Sequence, residues 1–110
     1  MIPIDDVPAT LETAAEAIRA VNHATGVQDL DIAATYAAVG ELMLLVGRLP
    51  QCLTQTVRGV TTNSTIQSDS GQPEVDVAEI TSHVTAAVAA LEQVARHLAD
   101  THNHTGQLHQ

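Results

Sequence analysis

The sequence predicts an all-α protein: an antiparallel helical bundle of three long helices and one shorter helix. Three observations carry that prediction. Apolar residues recur at intervals of three and four through most of the chain, no segment alternates with a period of two, and glycine, proline and Ser/Thr clusters punctuate the periodic stretches.

The first helix is expected over about 7–24. Val7, Leu11, Ala14, Ile18 and Val21 step by four and three onto one face, while Glu12, Glu16 and Arg19 lie off it. Asp5 and Asp6 stand where carboxylates complement the positive end of a helix, and Thr25-Gly26 is expected to stop it. Asp29 can then cap a second helix over about 30–49. So short a connection makes the two helices antiparallel neighbours.

The second helix carries two apolar stripes. Ile32, Tyr36, Val39, Met43 and Val46 form one, and Ala38, Leu42, Leu45 and Leu49 form the other. A surface that wide implies burial on more than one side. Gly40 and Gly47, seven apart, leave two positions of one face without side chains and would let a partner helix approach closely. Each costs about 1 kcal/mol of helix propensity relative to alanine, which suggests a packing reason.

Pro50 removes a helical N–H and disfavours a helical Leu49, so a break is expected there, with a shorter helix over about 50–60. Leu49, Leu53, Val57 and Val60 keep the rhythm and would pack on the same core. The polar stretch 61–73, rich in Ser and Thr and closed by Gly71 and Pro73, reads as a flexible loop.

The last helix is expected over about 75–101, with Glu74 and Asp76 at its start. Val77, Ile80, Val84, Ala87, Leu91, Val94 and Leu98 recur with an unbroken heptad spacing and form the candidate interaction seam. Val88 and Ala95 widen it beyond what a two-stranded coil needs, and Glu92 with Arg96 supplies an exposed i,i+4 pair. Residues 102–110 form a polar, His-rich tail, and 1–110 is read as a single domain.

Composition narrows the function classes. Apolar residues make up 45% of the chain but aromatics only 1%, so the core must come from Ala, Val, Leu and Ile, which brings helices close together. Thirteen acidic residues face four arginines and no lysine, giving a net charge of -9. Such a surface repels phosphate and argues against direct nucleic-acid binding or an anionic membrane. Cys52 is the sole cysteine, so an intrachain disulfide is excluded and a cytoplasmic location is the simpler expectation. The N-terminus lacks the basic start and apolar stretch of a signal peptide, and Leu42 to Val46, the longest strongly apolar run, is too short to span a bilayer.

No catalytic signature stands out. Cys52 reads as a core thiol and Tyr36 as part of the apolar stripe. Glu79 and His83 share a helix face without forming HExxH or the Glu-x-x-His motif of di-iron bundles, so a surface contact is expected. His97, His102, His104 and His109 crowd the C-terminus. His102, His104 and His109, with Asp100, are the residues that a loosely held zinc, nickel or copper ion would use, but their spacing matches no closed metal site and no cofactor is expected.

The run Gly40-Glu41-Leu42 through Leu49-Pro50-Gln51-Cys52-Leu53-Thr54-Gln55, joined by a polar loop to an Ala/Val-rich last helix, resembles small uncharacterised helical accessory proteins of actinobacteria, some on plasmids or integrative elements. That resemblance implies an accessory or regulatory role and transfers no functional residue. The expected function is a non-enzymatic protein–protein interaction module that forms a homodimer. The alternatives are an acidic decoy of a nucleic-acid-binding protein, motivated by the charge, and a metal-responsive protein using the His-rich tail.

Overall fold

The computed structural model describes residues 1–63 and 65–109. A short 3-10 turn, Ile4–Asp6, leads into α1, Val7–Val27; α2 covers Ile32–Thr61 and α3 covers Pro73–Thr105. The described residues contain no strand. The chain divides into two compact units, Met1–Asp31 and Ile32–Gln110.

In the first unit the amide of Asp6 donates to the carbonyl of Pro3, and Pro8 sits in the opening turn of α1, where a missing N–H costs nothing. Asp5 and Asp6 fall in the 3-10 turn, and the Asp6 side chain makes no capping hydrogen bond; the Thr10 hydroxyl instead donates to the Asp6 carbonyl at 2.8 Å. Gly26 does not end the helix as expected. It continues helically to Val27, and an extended Gln28 (φ -144°, ψ 141°) closes it, its amide donating to the carbonyl of Ala24. Along α1, Leu11, Ile18 and Val21 are exposed.

The second unit is a helical hairpin. Near the start of α2, Tyr36 lies against His102 and Gly106 at the end of α3. Towards the other end, Thr54, Val57 and Thr61 line one groove with Thr81, Val84, Thr85 and Val88. The helices therefore run antiparallel.

The expected break at Pro50 is absent: one helix runs from Ile32 to Thr61 through the proline, so there are three helices rather than four. Proline denies the Val46 carbonyl its helical partner and crowds the preceding turn, at a cost of about 3 kcal/mol or more. Packing explains why the helix persists. Val46, Pro50 and Leu53 are all half-buried in the row that faces α3, so unwinding at the proline would strip that row from the seam.

The connection between α2 and α3 is organised by hydroxyls. Ser68 and Ser70 both donate to the carboxylate of Asp76 in the first turn of α3, Ser70 at 2.7 Å. The amide of Gln72 donates to Ser70 Oγ, and Gly71 takes the left-handed conformation (φ 75°) that the turn requires. The flexible-loop expectation of 61–73 is thus met by a hydrogen-bonded turn over Ser68–Gln72; Ser64 lies outside the described residues. α3 starts at Pro73 and extends to Thr105, four residues beyond the expected end, so His102 and His104 belong to the helix rather than to a tail.

Candidate interaction surface

The hairpin seam follows from the half-buried positions. On α2 they include Ile32, Val39, Met43, Val46, Pro50, Leu53, Val57 and Thr61, with Ala34, Thr35, Ala38, Gly40, Leu49 and Cys52 half-buried beside them; on α3 they include Val77, Val84, Val88, Leu91, Ala95, Leu98, His102 and Thr105, with Pro73, Asp76, Ala87 and Ala99 beside them. From Val39 and from Val84 onward the two rows step by threes and fours, with Ile32 and Val77 one heptad before, the signature of two helices meeting along a heptad-like seam. The first stripe of α2 therefore packs against α3. On α3 the seam shares Val77, Val84, Leu91 and Leu98 with the expected row and includes Val88 and Ala95, the residues expected to widen it; Ala87 is half-buried beside Val88. Ile80 and Val94 stand off it, 37% and 44% exposed.

At the open end of the hairpin the seam closes with rings. Tyr36 and His102 stack with centroids 4.1 Å apart and planes 15° apart. Two glycines make room for them. A Cβ on Gly40 would lie 3.2 Å from His102 Nε2, and one on Gly106 would lie 2.9 Å from Tyr36 Cε2. Gly47 has nothing within 4 Å of its missing Cβ, so only Gly40 of the expected glycine pair receives a neighbour within the described chain.

The flanks of the seam differ. A residue one position before a seam residue is rotated about 100° around its helix, and in an antiparallel pair these earlier positions on both helices point to the same side. That side collects Ala38, Leu42, Leu45, Leu49 and Cys52 from α2 with Asp76, Ala87, Ala90 and Val94 from α3, joined by Ile80, which is turned about 40° from Val84 towards it. These are the second stripe of α2 and the residues left off the seam of α3. Leu42 is 41% exposed and Leu45 37%. Apart from Asp76, which precedes Val77 at the loop end of α3, no aspartate, glutamate or arginine occupies these positions within α2 and α3; His83, His97 and His104 form their outer edge on α3.

The opposite side, one position after the seam residues, carries Ala33, Gly40, Gly47, Ala78, Ala89 and Ala99, with Leu44 as its large apolar residue and with Arg58, Glu92 and Arg96 as charges. Glu41, Arg48, Glu79 and Asp100 lie on the backs of the helices. Among the described residues no side chain is fully buried. By length and composition alone α2 could also cross a membrane, but Glu41 and Arg48 would then both be carried into the bilayer on one face.

The candidate metal residues are not brought together. His102 faces Tyr36 and Gly40, while His104, about 200° further round the helix, lines a shallow depression with His97, Asp100 and Leu108. His109 follows the helix and is exposed. Among the described residues no group of three His, Cys, Asp or Glu side chains is placed to hold a metal ion. His83 Nε2 and Glu79 Oε2 lie 3.7 Å apart on the surface, as does the Arg19–Glu16 pair, whereas Glu92 and Arg96 do not form the ion pair expected of them. Exposed pairs of this kind contribute about 0–1 kcal/mol.

Hydrogen bonds from Ser68, then Ser70, hold the pKa of Asp76 below the ordinary value of 3.8. These bonds fix the turn and the start of α3. Comparison with known proteins yields no matching protein family, no matching curated protein and no matching solved structure.

Proposed function

We propose that the chain is a non-enzymatic helical interaction module that self-associates as a dimer and serves as a small accessory or regulatory protein of the cytoplasm. One observation carries this reading: the described residues combine continuous apolar seams with no fully buried side chain. A chain that is 45% apolar needs a core to offset the conformational entropy lost on folding, and a hairpin of two helices provides only half-burial. A further helical surface supplies the other half.

Size-exclusion chromatography with light scattering tests this. The expected result is a particle of twice the 11.5 kDa chain mass that dissociates on dilution. A well-folded protein that stays monomeric at high concentration contradicts it.

A further inference from the structure

We infer that the occupant of the Leu42/Leu45/Leu49 side of the hairpin is the same side of a second copy of this chain. The inference rests on the self-association proposed above and assigns it a surface. Three features of the hairpin support it.

The first is charge. Two copies of a chain at -9 repel each other, and a twofold contact sets like charges near one another. The side that such a contact can use is one without carboxylates. From Ala38 to Val60 on α2 and from Ile80 to His104 on α3 the positions before the seam meet that condition, Asp76 standing beyond them at the loop end, whereas Arg58, Glu92 and Arg96 stand within the other side.

The second is the apolar content. Leu42, Leu45 and Leu49 from α2 adjoin Ile80, Ala87 and Val94 from α3, giving large and small residues on one surface, as ridges and grooves need for packing a second helical layer. The opposite side offers Leu44 among alanines and glycines.

The third is size. α2 has 30 residues, so at 1.5 Å per residue the hairpin face is about 45 Å long, and two helices 8–10 Å apart make it about 18–20 Å wide. Apposing two such faces covers about 800–900 Å² per partner, the amount typical of a stable specific interface. The product is a four-helix layer in which the two stripes of α2 face α3 and the second copy respectively.

The test uses the full chain and four substitutions to glutamate, with sedimentation equilibrium as the readout. Leu42→Glu and Val94→Glu place a carboxylate on the proposed side from each helix. Leu44→Glu and Ala89→Glu place it on the other side. A buried unpaired carboxylate is costly, so each of the first pair is expected to raise the dimer dissociation constant at least about tenfold, and the second pair to leave it within about twofold.

Circular dichroism at the same concentrations separates dissociation from unfolding, and Val94→Glu reports independently of Leu42→Glu should the latter unfold. A wild-type chain that is monomeric overturns both this inference and the proposed function. A dimer that survives Leu42→Glu and Val94→Glu but is broken by Leu44→Glu overturns only the inference. Binding of monomeric wild-type chain to phosphatidylcholine vesicles, abolished by Leu42→Glu, would assign the surface to lipid and overturn it too.

Discussion

The two sides of the α2–α3 hairpin share one seam and differ in what flanks it. One side presents leucines, isoleucine and valine with Asp76 as a charge at its loop end; the other presents alanines and glycines interspersed with Arg58, Glu92 and Arg96. The seam residues alone do not distinguish them. In a helical hairpin with no fully buried side chain among its described residues, the positions beside the seam are what set one side apart from the other.

The largest effect that would break this contrast is on association. Leu42 and Leu44 are neighbours on one helix and comparably exposed, at 41% and 50%, but they project to different sides. Leu42→Glu is expected to weaken the dimer at least about tenfold and Leu44→Glu to leave it nearly intact. Equal effects in sedimentation equilibrium would erase the distinction.

Next in size is the ring stack at the open end. His102→Ala removes the partner of Tyr36 and empties the notch over Gly40, and is expected to lower stability by about 0.5–1.5 kcal/mol in urea unfolding. Because His102 lies in the seam, the loss should accompany both sides equally.

Gly47 then sharpens the comparison. It sits on the charged side, in the interior of α2, with open space where its Cβ would be. Gly47→Ala is expected to gain up to about 1 kcal/mol from helix propensity and to leave dimer affinity unchanged. Gly40→Ala should gain less, since His102 must give way.

The smallest effect concerns the turn at the loop end of the hairpin. Asp76 has its pKa depressed in the folded chain by Ser68 and Ser70. Its contribution to stability is therefore present above the ordinary value of 3.8 and is lost as pH falls through the lower folded value. The difference in melting temperature between wild type and Asp76→Asn should shrink between about pH 6 and about pH 2.

Much of this was legible in the sequence, because apolar periodicity reports which residues can share a helix face. The heptad spacing of α3 and the double stripe of α2 both follow from it. Local signals misled where packing outweighed them. Pro50 is strong punctuation, yet it is held in a continuous seam; Gly26 also stays inside α1, by one residue, with nothing within 4 Å of its missing Cβ to account for it. On α3 Ala95 lies in the seam and Val94 outside it, while Ala87 and Val88 are both half-buried, since all of these satisfy a three–four rhythm and only the facing helix selects between them. The Tyr36–His102 stack had a faint signal in Gly40 and Gly106, but pairing residues 66 apart requires the hairpin register.

The most direct test of the central claim uses Cys52, the sole cysteine, which lies half-buried on the leucine side of α2. Its rate of reaction with a thiol reagent can be followed across a dilution series of the unmodified chain. If two copies cover this side, the rate falls as the concentration rises through the dimerisation range, and Leu42→Glu abolishes that dependence. A rate that does not change with concentration while the mass doubles would place the interface elsewhere and contradict the account.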